Sequence, residues 1–235
     1  MIDKVNASSM KDDPDPVEME AFFDTHASGY DAHMSEKPQY DGWRELLETQ
    51  LVATMDPTRV LDLGCGTGLE IEHVFRRQPN ARITCIDLSE GMIELLVKRY
   101  PRQREQLTIV HASYFDHDLE REHFDVAIAC VTMHHWLFSA KVDLYQKIWK
   151  SLKPEGYFID SDYMVPEPLE QALLAAYLKR REEGSLVEGR HYHIDIPFSV
   201  ATEVRALKQA GFGRTDVVKE EYSESFNAAM IVAAK

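Results

Sequence analysis

The chain has 235 residues, 44% hydrophobic and 28% charged, a composition that excludes a disordered or fibrous protein and suits one enlarged α/β domain. Asp and Glu number 40 against 26 Lys and Arg, and the net charge of -14 repels polyanions, so nucleic acid and anionic membrane are poor partners. The N-terminus is polar and acidic rather than signal-like, and nowhere do about 18 apolar residues run together, so the expected location is cytoplasmic, without a membrane span.

Residues 1–14 read as a leader closed by DDPDP, followed by two helical patterns, Val17 to Met34 and Tyr40 to Met55. Short β-rich runs then alternate with amphipathic helices: RVLDLG (59–64), ARITCID (81–87), LTIVHA (107–112), FDVAIACV (124–131) and YFIDSD (157–162). Helices are expected after Gly68, after Ser89 and from Lys141 to Leu152. Apolar strands separated by single helices indicate a parallel sheet covered on both faces, hence a doubly wound, Rossmann-like α/β fold. Further on, a helix over Leu169 to Glu183 precedes the polar, histidine-rich stretch GSLVEGRHYHIDIP. Ser199 then caps a helix reaching Ala210, with Gly211 just past its end. GRTDVVKE and SFNAAMIVAAK, joined by the short EYSE link, pair antiparallel, because a parallel return needs a crossover. Cys65, Cys85 and Cys130 are odd in number, far apart and inside apolar runs, and read as reduced core thiols rather than a disulfide or zinc site.

VLDLGCGTG, Val60 to Gly68, carries the most chemistry. A strand runs directly into Gly64, Gly66 and Gly68 and a helix follows. Backbone N–H groups can therefore approach an anionic or zwitterionic cofactor at the helix N-terminus. Asp87 ends the next strand, 23 positions beyond Gly64, where an acid can accept from both hydroxyls of a ribose. Nicotinamide-dependent reductases are a poorer match. Their G-x-G-x-x-G places two residues before the third glycine, this chain places one, and no tyrosine has a lysine four positions later.

These residues resemble the class I S-adenosylmethionine-dependent methyltransferases. VLDLGCGTG is similar to that family's first motif and CIDLSEGMI (85–93) to its second. FDVAIACVTMHHW (124–136) and LKPEGYFI (152–159) are similar to its fourth and fifth strand segments, and FDTHASGYDAHM to its N-terminal lid helix. The resemblance spans nearly the whole chain. It implies one seven-stranded, mostly parallel sheet with an antiparallel C-terminal strand, in a single domain over 1–235 with a helical lid at about 15–55 and a cap insertion at about 164–198. It implies S-adenosylmethionine as cofactor, with Gly64, Cys65, Gly66 and Gly68 shaping the bend around its methionyl part. Asp62 would orient the loop or the ammonium group, Asp87 hold the ribose, and Leu88 and Met92 pack on adenine. Where the family often has an acid facing the adenine amino group, this chain presents Ser113 with Tyr114 beside it, and Tyr30 is the aromatic expected to cover the cofactor.

His134 and His135 follow the fourth strand at the ligand-binding edge of the sheet. His134 is taken as the general base for an acceptor and His135 as a substrate contact. Asp162 and Tyr163 end the fifth strand on the same edge, the first to orient a substrate or accept its proton, the second to contact it. In RHYHIDIP (190–197), His191, His193 and Asp195 alternate, so an extended segment puts all three on one side, over the acceptor. With His134 they make a conceivable divalent-metal set, yet no histidine pair at helical-turn spacing supports one, and no metal is expected. The expected activity is methyl transfer to a small-molecule acceptor, with a homodimer as the candidate assembly. The alternatives are a tRNA-modification-related enzyme or carboxylated-cofactor synthase of the same fold, and a non-catalytic cofactor-binding subunit.

Overall fold

A computed structural model describes residues 16–36, 39–223 and 227–235, so the leader and part of the EYSE link lie outside the described residues. The strands are β1 (Arg59–Leu63), β2 (Arg82–Asp87), β3 (Leu107–His111), β4 (Phe124–Cys130), β5 (Leu152–Asp162), β6 (Arg214–Tyr222) and β7 (Asn227–Ala234). They form one seven-stranded sheet in the order β3-β2-β1-β4-β5-β7-β6. β1 pairs parallel with β2 and β4, β2 with β3 and β4 with β5, while β7 runs antiparallel to both β5 and β6. The helices are α1 (Met19–Ser35), α2 (Gln39–Gln50), α3 (Ile71–Arg77), α4 (Glu90–Arg99), α5 (Phe138–Ser151), α6 (Glu167–Glu182) and α7 (Val200–Ala210). Among the described residues no helix is long and apolar enough to cross a membrane.

Side chains alternate across the sheet, and both faces are apolar because both are covered. Val60, Val126, Ile128, Ile159 and Met230 pack with Leu47 of α2 and Val74 of α3. Leu61, Leu63, Ala127, Ala129, Phe158 and Ile231 face the other way, onto Leu144 and Ile148 of α5 and Ala206 and Leu207 of α7. Ser199 caps α7 by accepting from the Thr202 N–H, and Gly211 follows it at φ 116°.

Two element boundaries differ by five residues from the sequence reading. α2 stops at Gln50 rather than continuing to Met55. The carbonyls of Leu51 and Val52 accept from Arg77 Nε and Gln78 Nε2, so they are held by the end of α3 instead of by a further helical turn. β5 begins at Leu152, five residues early. Leu152 pairs with Phe124, then Pro154, Glu155 (φ 66°) and Gly156 bulge out before Tyr157 resumes pairing with Val126.

Candidate active site

The strands β1, β2, β4 and β5 end at one edge of the sheet, and the loops leaving them line two adjoining cavities that share Tyr30, Gly64, Gly66, Cys130 and Val131. The two form one cleft. Its sharpest corner is the bend after β1. Gly64, Gly66 and Gly68 all have positive φ, at 66°, 49° and 76°. They serve different purposes. A Cβ on Gly64 would lie 2.4 Å from Thr132 Oγ1, and one on Gly68 3.0 Å from the Tyr100 ring, whereas one on Gly66 would meet nothing within 4 Å. Gly66 therefore leaves open space in the cleft, while Gly68 packs under α4 and does not line it. Tyr100 donates to the Gly68 carbonyl at 2.6 Å.

Asp87 ties the bend to β2. Its Oδ2 accepts from the Gly66 N–H at 2.7 Å and its Oδ1 from the Ser89 N–H at 2.9 Å. Burial raises its pKa, opposed by these two hydrogen bonds. Leu88, Met92, Ser113 and Tyr114 line the same cavity, with Met19 and Phe23 of α1 and Trp136 opposite. Cys65 lines the second cavity, with Arg44, Thr67, Glu70, Asp162 and Tyr163. Asp62 differs from its expected place. It is 1% exposed, lies beneath the loop with neither carboxylate oxygen hydrogen-bonded, and has its pKa raised by burial and then by the neighbouring Glu70. Glu70, two residues after Gly68 and just before α3, reaches the cleft instead. It and Arg44 escaped the sequence reading, since neither belongs to a motif. Val131 escaped it too: it has φ 54°, unusual for a β-branched residue, where the two cavities meet.

The two histidines part ways. Met133–His135 form a short 3-10 turn. The turn seats on Asp162, whose Oδ2 accepts from the N–H groups of Met133 (2.5 Å) and His134 (2.9 Å). His134 Nδ1 lies 2.6 Å from Asp162 Oδ1, and its Nε2 3.4 Å from Asp195 Oδ1. Burial alone would lower the His134 pKa, but the charges of Asp162 and then Asp195 hold it up at about 10. Enclosed by two carboxylates and absent from the cleft lining, His134 is not placed as the base for an acceptor. His135 lines the cleft. Its pKa is lowered, by burial first and then by the His134 charge. Tyr163 shares a hydrogen bond with the Tyr40 hydroxyl and sets its ring 4.7 Å from that of His134.

In the segment 190–197 the alternate residues His191, His193 and Asp195 turn to one side. His191 packs on Trp136 at 4.8 Å between ring centroids, His193 on His135 at 4.8 Å, and Asp195 faces both His134 and His135. Neither His191 nor His193 lines the cleft. His193 stacks on Phe22 at 3.6 Å, and its pKa is lowered to about 3, by burial first. The same segment holds α1. Met19 N donates to His191 O, and His193 N to Val17 O. On α1, Asp24 accepts from Ser89 Oγ (2.6 Å) and the Gly91 N–H (3.1 Å), and Asp31 from Thr67 Oγ1 (2.6 Å) and Arg99.

Residues 60–156 match the model of a methyltransferase domain. A malonyl-[acyl-carrier protein] O-methyltransferase of Priestia megaterium is 29% identical over 147 residues, 60% of this chain, and the match spans 49% of that relative, about half its length. A carboxy-S-adenosyl-L-methionine synthase of Nautilia profundicola is 24% identical over 217 residues, 86% of this chain and 91% of the relative. Among solved structures, the DhpI–SAH complex superposes with a TM-score of 0.65 at 17% identity, covering 91% of this chain and 93% of that one.

Proposed function

On the premise that this chain belongs to the class I S-adenosylmethionine-dependent methyltransferases, we propose that it transfers a methyl group to a small-molecule acceptor in the cleft at the ends of β1, β2, β4 and β5. The observation that carries this reading is the shared wall of the two cavities: a glycine bend tied to Asp87 opens on one side to a largely apolar space lined by Leu88, Met92 and Trp136 and on the other to Arg44 and Glu70.

The cofactor supplies an electrophilic methyl group on a sulfonium, so the protein's task is to align an attacking atom and exclude water. Its residues suit each part. The Asp87 carboxylate has acceptor capacity left for a ribose diol, and Leu88 and Met92 offer an apolar and a polarizable surface to adenine. Tyr114 is fixed for the same end, its hydroxyl accepting from Trp136 Nε1 at 2.5 Å. One arginine and one glutamate at the other end match a zwitterionic amino-acid group. Gly66, with space where a Cβ would sit, lets the backbone approach the ligand. The acceptor then enters where Cys130 and Val131 join the two cavities, with His135 on one wall and Tyr163 on the other. Tyr30, lining both cavities from α1, covers the bound cofactor. With the net charge of -14, a small acceptor is a better partner than tRNA.

The test is incubation with methyl-labelled S-adenosylmethionine and a panel of small carboxylic acids, alcohols, amines and thiols, read by mass. Label on an acceptor together with the demethylated cofactor supports the reading. A heavier cofactor that keeps its label would replace it with cofactor carboxylation, the activity in the name of the relative matched over 91% of its length. Binding without turnover on any acceptor would leave a cofactor-binding subunit.

A further inference from the structure

The cluster at the wall of the cleft has the shape of a metal site. Asp195 Oδ1 is buried without a hydrogen bond of ordinary geometry. It lies 3.4 Å from His134 Nε2 and 3.3 Å from His135 Nδ1. One donor atom from each of the three residues falls within 4.8 Å of the others. Bonds of about 2.0–2.1 Å to a tetrahedral zinc ion set its ligand atoms about 3.3–3.4 Å apart, which is the spacing found on both edges that meet at Asp195. The support behind the ligands fits as well. His134 Nδ1 is 2.6 Å from Asp162 Oδ1, the carboxylate–histidine arrangement that turns the other ring nitrogen toward a metal. Asp162 is itself fixed by the N–H groups of Met133, His134 and Tyr163.

We propose that His134, His135 and Asp195 bind one divalent transition-metal ion of the zinc class, held in orientation by Asp162. Two imidazoles and one carboxylate favour zinc and its neighbours in the first row over magnesium or calcium, which take oxygen ligands. On binding, His135 Nδ1 gives up its 3.2 Å contact with the Ile194 carbonyl. Three protein ligands leave a fourth position for water or for an oxygen of the acceptor. His135 lines the cleft, so the ion sits at its wall and selects acceptors that carry an oxygen donor. That last role rests on the methyl-transfer reading; ion binding itself does not.

The experiment is calorimetric titration of chelator-treated full-length protein with Zn²⁺, paired with Co²⁺ substitution read by visible absorption. Expected are one equivalent bound and a tetrahedral cobalt spectrum. Asp195→Asn should weaken Zn²⁺ binding about 100-fold or more, and Asp162→Asn about 10- to 100-fold, through loss of ring orientation. Unchanged circular dichroism in both variants, and unchanged S-adenosylhomocysteine binding in Asp195→Asn, would show that the fold is intact. Zn²⁺ heat that survives unchanged in Asp195→Asn, or no stoichiometric binding by the parent protein, overturns the assignment. Tight binding lost in Asp195→Asn by a protein that methylates no acceptor sustains the site and rejects the activity.

Discussion

Replacing Asp87 by Ala tests the proposed adenosyl half of the cleft. Each carboxylate oxygen already accepts one backbone hydrogen bond, from Gly66 N–H at 2.7 Å and from Ser89 N–H at 2.9 Å. A carboxylate offers about four lone-pair directions, so about one remains free on each oxygen, the complement of two adjacent ribose hydroxyls. Hydrogen bonds to a charged group contribute about 1.5 kcal/mol each at the low end, so losing both costs about 3 kcal/mol, or about 150-fold in Kd. Asp87→Asn keeps one acceptor oxygen and should fall between, at about 10-fold. Calorimetric titration with S-adenosylhomocysteine reads both values, and denaturant unfolding reports separately on the two N–H groups left to water. A folded Asp87→Ala protein that binds within about three-fold of the parent would refute the reasoning, because the acid would then serve only the loop.

The glycines give a paired prediction. Gly64→Ala forces a Cβ to 2.4 Å from Thr132 Oγ1 at φ 66° and should lower unfolding free energy by about 3 kcal/mol. Gly66→Ala, with nothing within 4 Å, should cost about 1 kcal/mol in urea unfolding yet weaken cofactor binding; unchanged affinity would mean that its open space is not the ligand's. Lys141 and Glu203 form a 2.6 Å ion pair at 2% and 0% side-chain exposure, so Lys141→Met should destabilise by about 3–5 kcal/mol, and Lys141→Met with Glu203→Leu should recover much of it. A double variant as unstable as the single one would contradict this. Asp62 has a raised pKa, so its contribution favours folding while it is protonated and is lost as pH rises through that pKa. The stability difference in favour of Asp62→Asn should therefore grow between about pH 5 and pH 8, and a flat difference in melting temperature would contradict it.

The sheet was legible because its signals are local. Val60 to Leu63, Ile83 to Asp87 and Val126 to Cys130 are apolar runs closed by glycine, acid or turn residues, and their parallel pairing follows from the helices between them. The Ser199 cap and the Gly211 exit were legible for the same reason. What escaped depends on residues far apart in sequence. Nothing local to Leu51 and Val52 announces that Arg77 and Gln78 will take their carbonyls. Likewise His134 and His135 are equivalent in a string of letters, and only Asp162 and Asp195, 28 and about 60 positions away, separate a sealed ring from one facing the cleft. Arg44 and Glu70 reach the cleft from helical ground without any motif around them, so only the packing of α2 and the turn before α3 exposes them.

The contacts of α1 tie together parts of the chain that sequence keeps apart. Asp24 and Asp31 grip residues on the two loops after β1 and β2, while Val17 and Met19 are stitched to the stretch 191–193, and Tyr30 lines the cleft between. A shift of this one helix is therefore felt at the floor and the roof of the cleft together, because it strains hydrogen bonds to both.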